Sequence, residues 1–427
     1  MEPVDLHAAG AWYAAPGPLY MGGNQVRLLR GGAELFPAMC AAIAGARDHV
    51  WLATYIFHDD ADSQGVAQAL AGAARRGVRV RVVVDGFGSK GTLHRLREWM
   101  TVTNLELTVF RPVGNWWSLL QPGSLRRLHQ KLCVVDGAVG FVGGINIIGD
   151  QRDLNHGVLD APRLDFAVEV RGPLVRPIEQ TARAMWSRAA LGTDWRDEVR
   201  ALARSSEPVA RARRMLRRLR ISATQRSLMM GDGPDGPMHA AFLVRDNLRQ
   251  RRGIESAYIE ALNAAESSID LVSPYFYPGG RFRRALRNAA RRGVRVRLLL
   301  QGKADYKFAA LAAQVLYDEL LARGVEIHEY TAAFLHAKVC AIDDDWSTVG
   351  SSNIDPLSLL LNLEANVIVR DADFTAQLRQ EFESALAVST AVAAPPVGRG
   401  VMGVLRRGFV AWVAHWFLRL AGITGRY

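Results

Sequence analysis

Short apolar runs alternate along this chain with longer stretches whose apolar residues recur at three and four positions. A short strand is expected from Val26, and the runs at 49–57, 78–85 and 105–110 read as buried strands. The stretches at 33–46 and 65–76 read as amphipathic helices, with a further helix before residue 105. An irregular segment at 112–127, carrying Trp116 and Trp117, breaks the pattern. The order then returns, with strands at 242–246, 269–276, 294–301 and 325–330. Helices are expected between them at 254–265, 282–292 and 308–323. Strands and helices alternating at these lengths predict an α/β fold of layered α/β/α halves.

Two repeats show that the second half duplicates the first. AARRGVRVR occurs at 73–81 and again at 289–297. LHQKLCVVDGAVGFVGGIN at 128–146 has its counterpart in LHAKVCAIDDDWSTVGSSN at 335–353. The offsets, 216 and 207 residues, differ only by small insertions. The expected divisions are a poorly ordered lead-in at 1–25, a first half at 26–204, a linker at 205–240, a second half at 241–394 and a tail at 395–427. The linker holds RARRMLRRLR at 211–220, an exposed basic stretch rather than core. In the tail, Phe409, Trp412, Trp416 and Leu420 fall at helical spacing among Arg406, Arg407 and Arg419. Such a stripe suits a helix lying in the headgroup region of a bilayer, or one packed on the protein's own core.

Charge narrows the partners. A formal charge of +11 and a pI near 9.9 call for something anionic, either nucleic acid or an acidic membrane surface. Three cysteines, Cys40, Cys133 and Cys340, are too few and scattered for a disulfide framework or a zinc site, and fit a reducing compartment. Cys133 and Cys340 read as small core residues. The N-terminal stretch lacks the basic start and apolar core of a signal peptide, and no run of about twenty apolar residues marks a membrane span.

The chemistry lies in the longer repeat. Each copy sets a Lys two residues and an Asp seven residues after a His: His129, Lys131 and Asp136, then His336, Lys338 and Asp343. Strand alternation puts His and Lys on one face, and a turn at the Asp brings the Gly and Asn of the returning strand beside them. Gly144, Asn146, Ser351 and Asn353 are thereby the candidates for contact with a phosphate. A neutral imidazole can attack phosphorus while ammonium and amide donors stabilise the non-bridging oxygens. A second, protonated imidazole can release the leaving alkoxide and later deprotonate the incoming alcohol. That chemistry needs no metal or other cofactor. Each imidazole needs a partner on its other nitrogen, and Asp165 and Glu364 are the candidates. Tyr55, Asp85, Tyr275 and Tyr277 sit at predicted strand ends, where ligands and core packing are both served. His58, His156 and His328 belong to no such pattern.

Both copies match the His-x-Lys-x4-Asp signature of the phospholipase D superfamily, and the resemblance covers both halves. GSSNIDPLSLLLNLEANV at 350–367 closely resembles bacterial cardiolipin synthases, and the length resembles their short B-type branch, which lacks N-terminal transmembrane helices. The resemblance implies a duplicated fold with the active site between the halves. It also implies metal-independent phosphatidyl transfer through a phosphohistidine, with cardiolipin made from phosphatidylglycerol and an acceptor left open among phosphatidylglycerol, phosphatidylethanolamine and glycerol. His129 becomes the nucleophile, His336 the acid and base, and Asp136 and Asp343 structural members of the motif. The implied partners are phospholipids and an anionic membrane surface, with the enzyme peripheral on the cytosolic side of the bacterial inner membrane and nucleic acid not expected. Two relatives in chemistry stay open, a phospholipase D hydrolase and a nuclease. Gly144 in place of Ser, and Leu357 where relatives carry a basic residue, are departures that bear on the second lipid.

Overall fold

A computed structural model describes residues 17–112, 126–154, 156–203, 238–246, 250, 252–302, 316–355 and 362–393. Trp116, Trp117, Leu357, the 211–220 run and the tail at 395–427 lie outside the described residues, as does the first half of the helix expected at 308–323.

The first half runs β1 (Gln25–Arg30), α1 (Gly31–Ala44), β2 (His49–Thr54), α2 (Ala61–Arg75), β3 (Arg79–Asp85), α3 (Leu93–Trp99) and β4 (Leu105–Phe110). It continues with β5 (Leu132–Val135), β6 (Val139–Gly143), a small hairpin of β7 (Arg152–Asp153) and β8 (Gly157–Val158), then β9 (Phe166–Arg171) and α4 (Val175–Ala203). The second half repeats this plan as β10 (His239–Arg245), α5 (Gly253–Ala264), β11 (Ser268–Ser273), α6 (Gly280–Arg291), β12 (Arg295–Gln301) and β13 (Glu326–Tyr330). The motif hairpin β14 (Val339–Ile342) and β15 (Trp346–Gly350) follows, then β16 (Glu364–Arg370), α7 (Ala372–Ala387) and β17 (Ser389–Ala391). The sheets are mixed, ordered β1-β9-β6-β5-β2-β3-β4 and β10-β16-β15-β14-β11-β12-β13-β17.

The AARRGVRVR repeat has a local physical basis. Gly77 (φ +96°) and Gly293 (φ +94°) end their helices in the left-handed region, where a side chain would be strained. Arg76 donates to the Ile43 carbonyl (3.0 Å) at the end of α1, and Arg292 to Leu262 (3.1 Å) and Ala265 (2.9 Å) at the end of α5. One segment thus closes two helices and starts a strand in each half.

One apolar core crosses the boundary between the halves. It joins Val142, Phe166 and Val168 of the first sheet to Phe242, Val349 and Val367 of the second. Separate outer cores lie beneath α1 and α2, and beneath α5 and α6. Residues 20 and 21, at the described end of the lead-in, bond to the second half. Met21 exchanges backbone hydrogen bonds with Ala240 (2.9 and 3.0 Å), and Trp346 Nε1 donates to the Tyr20 hydroxyl at 3.2 Å.

The motif aspartates are structural clamps in this geometry. Asp136 (φ 50°) and Asp343 (φ 48°) open the hairpin turns, at the far end of β5 and β14 from the histidines. Asp136 accepts the N–H groups of Arg47 (2.7 Å), Asp48 (2.9 Å) and His49 (2.8 Å). Asp343 does the same for Glu266 (2.9 Å), Ser267 (2.7 Å) and Ser268 (3.0 Å), and takes the Ser267 hydroxyl at 2.9 Å. Partial burial would raise the Asp343 carboxyl, but these donors outweigh it and hold it below the usual carboxylate range. The stabilisation is therefore complete above the unfolded-state value and is lost as pH falls through the lower folded-state one. Asp343→Asn is expected to cost about 1.5–3 kcal/mol at neutral pH. The loss should shrink in acid, as read by denaturant unfolding at two pH values. A pH-independent difference would show that the carboxylate is not what clamps the turn.

Candidate active site

His129 and Lys131 lie in the extended stretch before β5, and His336 and Lys338 in its counterpart before β14, rather than in the strands themselves. These stretches bond to the opposite half. His129 N–H donates to the Leu363 carbonyl (3.0 Å) and Leu363 N–H to that of Arg127 (2.9 Å). Likewise His336 N–H donates to Leu164 (2.9 Å) and Leu164 N–H to Phe334 (2.9 Å). Leu363 precedes Glu364 and Leu164 precedes Asp165, so each two-residue splice delivers a carboxylate to a histidine of the other half.

The delivered contacts are direct. His129 Nδ1 stands 2.9 Å from Glu364 Oε2, and His336 Nδ1 stands 2.6 Å from Asp165 Oδ2. Glu364 is fully buried and Asp165 nearly so. An Nδ1–H donated to a carboxylate leaves the Nε2 lone pair free, the tautomer a nucleophile or base requires. Lys131 Nζ donates to the His129 carbonyl at 2.7 Å, and Lys338 Nζ to that of His336. On the returning strands, Gly143 N–H reaches the Lys131 carbonyl (3.4 Å) and Gly350 N–H that of Lys338 (3.2 Å).

Charge links the two motifs into one site. Burial lowers the Lys131 ammonium to about 8, against the pull of Glu364, Asp165 and Asp85. Burial likewise takes Lys338 down to about 7, with Asp165 opposing and Lys131 reinforcing the fall. His129 is lowered by burial and by Lys131, against Glu364. His336 falls well below the ordinary histidine range through burial, Lys338, Arg163, Lys131 and His129. Both imidazoles are consequently neutral near pH 7 before substrate arrives. A phosphodiester anion entering between the ammoniums raises every one of these proton affinities, which favours a protonated acid at the moment it is needed.

The remaining expected residues divide. Asn146 Oδ1 accepts Ile56 N–H (3.2 Å), which turns its amide donors away from that contact. Asn353 is equally buried, and its Oδ1 has no partner among the described residues. Ser351 and Gly144 both lie against the carboxylates. The Ser351 hydroxyl, fully buried, donates to Glu364 Oε2 at 2.5 Å and accepts Ala365 N–H at 3.0 Å. At Gly144 an added Cβ would meet Asp165 Oδ1 at 2.2 Å, so the missing side chain makes room for the carboxylate. Gly144→Ala should push Asp165 off His336 and lower kcat on the order of 100-fold. Steady-state kinetics check this, and a wild-type kcat would mean that Asp165 tolerates displacement.

Two supports were legible only as strand ends. Tyr55 meets the His129 ring edge-on at 5.2 Å, with Lys131 Nζ 5.6 Å from the Tyr55 ring. Asp85, fully buried, accepts Leu128 N–H at 2.9 Å and so holds the residue before His129. Its counterpart Gln301 accepts Leu335 N–H at 3.1 Å. Sequence reasoning missed Gln301, although the 216-residue offset of the AARRGVRVR repeat aligns it with Asp85. Tyr277 N–H donates to the Ile354 carbonyl (2.7 Å), and Tyr275 is exposed. Cys133 and Cys340 are buried, while His58 pairs with Asp60 (3.2 Å) and His328 lies 3.9 Å from Glu326. Among the described residues no group of three or more His, Cys, Asp or Glu is placed to hold a metal.

Comparison with known proteins adds to this geometry. A family model described as "Cardiolipin synthase, PLD-like domain" matches residues 39–159 and 258–386. The chain is 34% identical over 365 residues to cardiolipin synthase B of Escherichia coli (strain K12), covering 86% of this chain and 81% of that protein. It is 36% identical over 361 residues to cardiolipin synthase B of Salmonella typhi, covering 84% and 80%. Among solved structures, phosphatidylserine synthase from Haemophilus influenzae Rd KW20 superposes with a TM-score of 0.62 at 11% identity, covering 96% of each chain, a likeness of fold.

Proposed function

The chain belongs to the cardiolipin synthase family built on phospholipase D-like domains, and we propose that it transfers a phosphatidyl group from one phosphatidylglycerol to a second. The observation that carries this reading is the pair of partly buried imidazoles, each held at Nδ1 by a buried acid of the opposite half. In the first step His129 Nε2 attacks the donor phosphorus, forming a P–N bond as the bond to the glycerol oxygen breaks. His336 gives its proton to that oxygen, and glycerol leaves. In the second step a hydroxyl of the acceptor forms a P–O bond while the P–N bond breaks and its electrons return to His129. His336 takes the hydroxyl proton, which restores both imidazoles. Lys131, Lys338, Asn146 and Asn353 are the donors for the charge that builds on the non-bridging oxygens. These ammoniums do the work a Lewis acid would do, so no metal enters either step.

We place the enzyme on the cytosolic face of the inner membrane as a peripheral protein. Its charge of +11 favours an anionic leaflet, and no helix among the described residues is long and apolar enough to cross a membrane. The test is incubation of purified enzyme with labelled phosphatidylglycerol in mixed micelles, with and without chelator, followed by separation of the lipids. Diphosphatidylglycerol and glycerol in equal amounts, at a rate the chelator leaves unchanged, are expected. Phosphatidic acid alone would make it a hydrolase. DNA cleavage with no lipid product would make it a nuclease.

A further inference from the structure

Duplication puts equivalent positions on either side of the two histidines, yet the two sides differ in kind. Beside His129 stand Arg126 and Arg127, with Arg111 just past β4; the equivalent second-half positions hold Ala333, Phe334 and Thr331. Phe334 packs on the His156 ring at 5.1 Å, so the chain before His336 carries no arginine in place of Arg126 and Arg127, and the arginine near His336 is Arg163 of the other half.

The three arginines are laced together through their own backbones. Arg111 Nη1 donates to the Arg126 carbonyl at 3.3 Å, and Arg127 Nη1 to the Arg111 carbonyl at 3.2 Å. The guanidinium of Arg127 lies over the Phe87 ring (5.2 Å) and that of Arg111 over Phe110 (5.3 Å), which fixes both planes. Asp85 is the one carboxylate within ion-pair reach among the described residues, 3.8 Å from Arg127 Nη1, and it already accepts Leu128 N–H. Burial and the neighbouring charges of Arg126 and Arg127 lower the Arg111 guanidinium below the usual arginine range. Three half-buried cations with a single carboxylate in reach among the described residues are poorly neutralised there, a condition that an entering anion relieves.

Resting on the phosphatidyl transfer proposed above, we infer that Arg111, Arg126 and Arg127 bind the phosphate of the acceptor, the phosphodiester that is not attacked. Lys131 and Lys338 are committed to the reacting phosphorus. A second phosphodiester brought alongside needs its own cations, and planar guanidinium forks match phosphate oxygens. The cluster is also where such a phosphate would fall. Its nearest member is two residues from His129, and the acceptor's phosphate lies one glycerol away from the hydroxyl that attacks. The acceptor phosphate itself is chemically unchanged in the step. Its binding site makes a glycerol that carries a phosphate a better acceptor than glycerol or water.

The experiment uses the full chain with acyl-labelled phosphatidylglycerol as donor. Soluble glycerol phosphate, glycerol and water compete with lipid as acceptors. Wild-type enzyme is expected to prefer glycerol phosphate to glycerol by on the order of tenfold or more in kcat/KM. The Arg111→Ala, Arg126→Ala double variant should lose that preference, with the ratio of cardiolipin to phosphatidic acid falling on the order of 10- to 100-fold. Arg126→Gln alone, at a half-exposed position, should shift the same ratio less and guards against misfolding of the double variant. Parallel loss with all acceptors, or a preference for glycerol phosphate that survives in the variants, overturns the inference. Survival of that preference while cardiolipin synthesis falls would assign the cluster to the bilayer surface instead. Wild-type enzyme that forms no cardiolipin at all overturns the parent reading. Wild-type enzyme that forms it without distinguishing glycerol phosphate from glycerol overturns this inference alone.

Discussion

His129→Ala is expected to bring cardiolipin formation to background, a loss on the order of 10⁴-fold or more in kcat. The side chain supplies the only protein atom proposed to bond to phosphorus, and Ala removes it with Lys131 and Glu364 still in place. His336→Ala should fall to a similar level for a different reason, because the glycerol oxygen then departs without a proton. The groups act as one unit, so the double variant should be no slower than the worse single one. Lipid binding by both variants, read from sedimentation with phosphatidylglycerol vesicles, should stay close to wild type. A His129→Ala enzyme with a tenth of wild-type turnover would remove covalent catalysis from the scheme.

Glu364→Gln and Asp165→Asn should each lower kcat by about 10²- to 10⁴-fold while changing KM little. An amide matches the carboxylate in shape, but it can offer N–H to the ring and so stabilise the tautomer whose Nε2 is protonated. Asp165 also carries a pH signature. Burial, against the pull of Lys338, raises its carboxyl to about 6. Below that value it protonates and can no longer accept from His336, so kcat should fall as pH drops through about 6. Asp165→Asn should flatten that acid limb as well as lower the plateau. An unchanged acid limb in the variant would assign it to another group.

Much of the fold was legible because it rests on local rules. Strand runs, helix spacing and the glycine-ended AARRGVRVR segment are each set by neighbours in sequence, and β4 falls at 105–110 as read. The mixed strand order was less accessible. Antiparallel β5 and β14 differ from the parallel strands beside them only in how the chain returns. In the site, residue types and spacings marked both His-Lys pairs and both acids. Which acid serves which histidine was not legible, since 235 residues separate His129 from Glu364 and 171 separate His336 from Asp165. That pairing depends on the apolar core between the halves, a long-range packing outcome with no local signature. Ser351 looked like a phosphate donor for a related reason. Its hydroxyl meets Glu364 only after two distant strands are brought together.

The most direct measurement is to quench wild-type enzyme in alkali during steady-state turnover of phosphatidylglycerol and map the adduct by peptide mass spectrometry. Phosphohistidine survives base, so a phosphatidyl-derived mass should appear on the peptide containing His129 and be missing from that containing His336. Cardiolipin accumulating with no adduct on either peptide, or with the adduct on His336, would contradict the transfer of phosphorus through His129.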